Sequence, residues 1–273
     1  MRISEVPVAD VRESLTAQRE RLLGLLASLS AAQWAAPTPA PGWSVKDIAL
    51  HLLDVDLSWV ARDRDHDLAG IIPVPSSHEE FVRELARRNQ RWVDGARTLS
   101  PRLVTDLLRW SGGQLDAHLG TVDLARPSSV YWAGLVPLWF DLAREFTERW
   151  VHYQQIREAA RLSSEGAHRQ DEFLPLVLRT FIWGFPHQYR TRAPADTTIA
   201  LEIAGIGTWM LTRTPGGWVL DEGQPAAPAA SLRASGDAAW RLLTGARYDT
   251  SQVQVSGDPA LAGPLLRVRG IIA

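Results

Sequence analysis

The sequence predicts a two-domain α+β protein: an up-and-down four-helix bundle over residues 1–165, a linking helix within 166–194, and a small α+β domain over 195–273. Two observations carry the prediction. Apolar residues recur at three- and four-residue spacings through four long stretches of the N-terminal part, which is the period of a helix with one buried face. Beyond residue 195 the pattern changes to short alternating runs punctuated by glycine and proline, as in TTIALEIAGIGTWMLTRTPGGWVLDEG, which reads as strands joined by turns. A chain of 273 residues suffices for one large core or two smaller ones.

The elements follow in order. Val11, Leu15, Leu22, Leu25, Leu26 and Leu29 give an amphipathic first helix over Val6–Ser30. The proline-rich AAPTPAPGW ends it. A second helix starts at Ser44, with Asp47 placed as a capping-box acid and Trp43 as a staple onto Ile48. It runs to about Arg64, apolar on most sides, which predicts burial. A loop with Pro73 and Pro75 precedes a third helix from Ser77, which Pro101 interrupts before LVTDLLRWSGGQLDAHL. A second loop, Thr121–Pro137, carries Tyr131 and Trp132. The fourth helix, over Asp141–Arg157, has Trp139, Leu142, Phe146, Trp150 and Tyr153 on one side. DEFLPLVLRTFIWGF is the linking helix, and three antiparallel strands follow. The chain then gives a strand at Ala229–Ala234, a helix at Asp237–Leu243, the strand QVQVSGD and a last helix, DPALAGPLLRV.

Composition narrows the function classes. A formal charge of −2 with 22% charged residues argues against nucleic acid or an anionic membrane surface as the main partner. With no cysteine, disulfides, thiolate ligands and a protein thiol nucleophile are excluded, and a reducing compartment is favoured. The N-terminus MRISEVPVADVRESL lacks the basic start and apolar core of a signal peptide. No apolar run approaches the roughly 18 residues that span a membrane. A cytoplasmic location is the expectation. The 12 tryptophans read first as core filling, a few as pocket walls.

Glu148 and His152 stand four residues apart on the fourth helix, so one carboxylate and one imidazole can reach the same ion. Their side of the helix lies away from the apolar stripe, so plain solvent exposure is the competing reading. His51, on the apolar second helix, is the candidate third ligand, because such faces rarely hold an imidazole without a partner. Two histidines and one carboxylate suit zinc with one coordination position open. Asp47 and Asp54 flank His51 at i−4 and i+3 and are candidates to hydrogen-bond its second nitrogen or to enter the ligand set themselves. His66, His78, His118, His168 and His187 read as surface residues.

PGWSVKDIALHLL is similar to the helix-two signature of the DinB-like bundles, specifically the mycothiol-dependent maleylpyruvate isomerase family. ERWVHYQQI resembles that family's E-x-x-x-H ligand pair, and VQVSGDPALAGPLLRV resembles the end of its sterol-carrier-like second domain. The three anchors occur in the family's order and cover most of the chain. The resemblance implies that His51, Glu148 and His152 are zinc ligands and that mycothiol, a small thiol of actinobacteria, binds the open position through sulfur. Zinc deprotonates a thiol that otherwise titrates near 8.5. The thiolate then adds to a small-molecule electrophile, giving cis–trans isomerisation if it is expelled again and thiol transfer if it stays. A dicarboxylate substrate would want converging arginines, for which Arg83, Arg87 and Arg149 are candidates. The aromatic SSVYWAGLVPLWF would suit a larger apolar one, or simply the core. Two other functions remain open: a thiol-independent, metal-dependent tailoring enzyme on the same bundle, and a non-catalytic binder of an apolar ligand. An open coordination position argues against a purely structural zinc.

Overall fold

The computed structural model describes residues 9–70, 77–130, 134–162 and 171–270. It has a helical N-terminal region and a C-terminal region built on a sheet, the α+β class that the periodicities predict. Pro73, Pro75, Tyr131, Trp132 and His168 lie outside the described residues, as does the His78 side chain. The chain divides into two compact units, one of Asp10–Asp123 with Glu148–Ser164, the other of Leu124–Thr147 and Glu165–Ala273 with Met1–Ala9.

The first unit is helical. Helix α1 (Arg12–Ser28) stops where Leu29 turns extended, and the short α2 (Ala31–Trp34) restarts behind a Ser30–Gln33 capping box. In the proline-rich connector, Thr38 N–H donates to the Trp43 carbonyl at 2.9 Å, and Gly42 takes φ 79° to close the turn. That turn delivers Trp43 to the start of α3 (Val45–Trp59). Here the capping box expected at Ser44 and Asp47 is present, the Ser44 side chain accepting from Asp47 N–H and the Asp47 carboxylate from Ser44 N–H.

Beyond α3 the backbone continues as a π-helical turn, Val60–Arg64, which hydropathy does not reveal. Such turns commonly mark functional regions. Next come α4 (His78–Ala96) and α5 (Pro101–Leu119). These are two separate helices, not one with a break. Pro101 occupies the first turn of α5, where its missing N–H costs nothing, and the Ser100 hydroxyl caps it. Leu22 and Leu26 of α1, Ile48 and Leu52 of α3, Val93 of α4, Val104 and Leu108 of α5 and Ile156 share one buried cluster. Ile156 belongs to α6 (Leu138–Ala159), the helix anticipated over Asp141–Arg157.

The second unit contains a correction. Part of the expected loop Thr121–Pro137 is a hairpin, β1 (Pro127–Val130) against β2 (Gly134–Pro137), with Ser128 opposite Val136. The helix expected over DEFLPLVLRTFIWGF is α7 (Leu174–Trp183), which belongs to this unit and is followed by the one-turn α8 (Phe185–Gln188). Strands β3 (Thr198–Ile203), β4 (Gly207–Thr214), β5 (Gly217–Glu222), β6 (Ala230–Ala234) and β7 (Val253–Gly257) form a sheet in the order β5-β4-β3-β6-β7. The first three are antiparallel neighbours as expected, whereas β6 runs parallel to β3. Helix α9 (Gly236–Thr244) and α10 (Pro259–Leu265) complete the unit. Most tryptophans fill cores, Trp150, Trp209 and Trp240 completely, while Trp110 is 56% exposed.

Candidate metal centre

Helix α3 is buried almost all round, so His51 sits mid-helix at 4% exposure. On α6 the four-residue spacing stacks Glu148 and His152 on one stripe. The structure brings all three together: one ligand atom from each lies within 4.8 Å of the others. His51 Nε2 is 3.0 Å from Glu148 Oε1, and the two imidazole rings meet edge-on with centroids 5.0 Å apart. Glu148 and His152 are therefore half-buried and turned toward His51, not free in solvent.

The donors fit a divalent ion. Ligand bonds of about 2.0–2.1 Å in tetrahedral geometry place neighbouring ligand atoms about 3.3 Å apart. The His51–Glu148 separation of 3.0 Å already matches, and the remaining separations are at most 4.8 Å. Burial, and then the neighbouring His51, push the His152 imidazole down to about 4, so at neutral pH it is uncharged and has a nitrogen lone pair to offer. His152 Nδ1 lies 2.9 Å from Gln155 Oε1, which leaves Nε2 for the site.

Neither flanking aspartate supports His51. Asp47 is committed to its own helix start and to Arg97, whose Nε donates to it at 2.9 Å. Asp54 accepts from the Ser58 hydroxyl and lies 3.1 Å from Arg88 Nη1. Spacings of i−4 and i+3 put these carboxylates on the right side of α3, but nearer donors hold them. His51 Nδ1 is buried with no hydrogen-bond partner among the described residues.

Two neighbours were not foreseen. Trp43, read as a staple, lays its ring 5.1 Å from His51 and 6.4 Å from His152, and its Nε1–H donates to Gln90 at 3.0 Å. Asp56 pairs with Arg149 at 2.9 Å, and Ser111 donates to its other oxygen at 3.1 Å. This buried pair takes Arg149 out of the role of a free substrate anchor. Arg83 and Arg87 are exposed on α4, Arg87 pairing with Glu84 at 2.5 Å. Of the other histidines, His66 is exposed, whereas His118 is largely buried and paired with Asp63 at 2.7 Å, contrary to the surface expectation. A partner 55 residues away leaves no trace in local sequence.

Comparison with known proteins identifies the family. The family model described as mycothiol maleylpyruvate isomerase N-terminal domain matches residues 15–157, which contain His51, Glu148 and His152. Two uncharacterized proteins of Mycobacterium tuberculosis, from strains CDC 1551 / Oshkosh and H37Rv, are each 31% identical over 207 residues, covering 74% of this chain and 75% of theirs. The crystal structure of the mycothiol-dependent maleylpyruvate isomerase superposes with a TM-score of 0.58 at 14% identity, covering 94% of this chain and 95% of that one. A histidine-to-alanine mutant of it gives 0.53 at the same identity and coverage. At that identity the superposition establishes the fold. The family model, which spans more than half of the chain, establishes more: this chain belongs to the mycothiol maleylpyruvate isomerase family of enzymes.

Proposed function

We propose that this protein is a zinc-dependent enzyme that uses mycothiol, as cofactor or co-substrate, for cis–trans isomerisation or thiol transfer on a small electrophilic molecule. The observation that carries the reading is the convergence of His51, Glu148 and His152 within 4.8 Å in a chain that has no cysteine of its own. A zinc ion, when bound, supplies acidification and orientation of a coordinated thiol. His51, rigid within buried α3, and neutral His152 offer nitrogen lone pairs, and Glu148 offers one negative charge. Trp43 stands beside both imidazoles, its ring centroid 5.1 Å from that of His51 and 6.4 Å from that of His152.

The reaction is an addition. A C–S bond forms at the electrophilic carbon as its π bond opens. Rotation about the resulting single bond followed by loss of the thiolate restores the alkene in the other geometry. Protonation of the adduct gives thiol transfer instead. The ligand set is common to both outcomes. In this reading residues 1–165 carry the chemistry and the protein works in the cytoplasm, where a small thiol stays reduced.

The competing reading, an apolar-ligand carrier, would use the cavities of the C-terminal unit. Its sheet bears a groove of about 480 Å³ lined by polar and apolar side chains alike, among them Glu202, Arg233, Ser231, Leu232 and Val255. The apolar space among Ile182, Leu201 and Leu242 is about 10 Å³, the size of one water at most.

The test is turnover of maleylpyruvate and of activated alkenes and epoxides, with and without mycothiol, before and after chelation. Activity that needs both thiol and metal is expected. Turnover that survives chelation, or that proceeds equally without thiol, would overturn the proposal.

A further inference from the structure

We propose that Gln155 is a positioning residue that fixes the tautomer of His152, so that Nε2 of that ring carries the lone pair offered to the ion. The inference rests on the reading of His152 as a ligand. Glu148, His152 and Gln155 fall at i, i+4 and i+7 and share one stripe of α6. Gln155 Oε1 stands 2.9 Å from His152 Nδ1. An amide carbonyl oxygen only accepts, so the tautomer that completes this hydrogen bond is the one with the proton on Nδ1. In a neutral ring the lone pair is then on Nε2.

The neighbouring glutamine does not duplicate this. Gln154 is fully buried and accepts from Arg157. Nor does His51 have an equivalent support, since its Nδ1 is buried without a partner among the described residues. One imidazole of the pair is thus oriented from behind, and the other is held by packing and by its contact with Glu148. A neutral amide orients His152 without adding a second negative charge beside Glu148. A partner of this kind fixes tautomer and ring angle, and its loss typically costs about 10–100-fold in metal affinity.

The experiment has two arms. In the metal-free protein labelled with ¹⁵N-histidine, long-range ¹H–¹⁵N correlation reads the His152 tautomer. Wild type should show the Nδ1–H form, Gln155→Leu a mixture or the Nε2–H form, and Gln155→Glu, which restores an acceptor, the Nδ1–H form again. Zinc affinity, measured by competition with a chromophoric chelator, should fall about 10–100-fold in Gln155→Leu and recover substantially in Gln155→Glu. An Nε2–H tautomer in wild type would overturn the inference, as would a leucine variant that keeps both the tautomer and the affinity. If wild type took up no zinc, the ligand reading would fall and the affinity role of Gln155 with it. The tautomer arm would still decide whether Gln155 orients the ring.

Discussion

Replacing Arg149 with methionine should destabilise the protein more than any surface change of charge. The arginine and Asp56 are 9% and 4% exposed as side chains, with Nη2 2.9 Å from Oδ1. Methionine keeps the aliphatic stem and removes the guanidinium. Asp56 is then a buried carboxylate whose remaining hydrogen-bond donor among the described residues is Ser111, at 3.1 Å. Breaking a buried pair from one side costs about 3–5 kcal/mol, because the surviving charge keeps its desolvation penalty and loses its compensation. Urea unfolding of the metal-free protein measures it. With a slope of about 3 kcal/mol per molar, the midpoint should fall by about 1–1.7 M. Removing both charges, as Arg149→Met with Asp56→Leu, should recover most of the loss, since apolar replacements of buried pairs are often neutral. A single variant within about 1 kcal/mol of wild type, or a double variant no better than the single, would refute the reasoning.

Other expectations follow from single features. His152 is held near 4 in the folded chain against 6.5 for a free imidazole, so between these values the unfolded state binds more protons. The His152 contribution to the stability of the metal-free protein should therefore decline as pH falls from about 6.5 toward 4, by about 2–3 kcal/mol in all, and a pH series of denaturation midpoints should show a steeper slope in wild type than in His152→Gln, which keeps only the part due to other groups such as half-buried His187. Gly257→Ala should cost at least about 2 kcal/mol, because a Cβ there would lie 2.3 Å from the Ala229 carbonyl oxygen at φ 87°; a melting temperature unchanged from wild type would contradict this. His152→Ala should lose metal yet keep its far-ultraviolet circular dichroism, since a helical core of this size does not rest on one ion.

Much of this was legible because it is local. The Ser44–Asp47 capping box, the burial of α3 around His51 and the Glu148–His152 spacing each depend on residues within one or two turns. What sequence left out depends on partners distant in the chain. Asp47 faces Arg97 and Asp54 faces Arg88, so a correct helical spacing gave wrong partners for His51. The β1–β2 hairpin has strands of four residues bounded by proline, too short for an alternating pattern. The π-turn after Trp59 changes one hydrogen-bond register, which hydropathy does not record. Trp43 reaches both imidazoles because the connector turns back at Gly42, a feature of backbone geometry and not of composition.

The central claim is that His51, Glu148 and His152 hold one ion together. Metal content after equilibration with zinc and gel filtration tests it most directly, on wild type, His51→Ala and His152→Ala side by side. The account predicts about one zinc per chain in wild type and less than about a tenth of that in each variant, all three folded. A folded wild type that retains no zinc, or variants that both retain it in full, would contradict it.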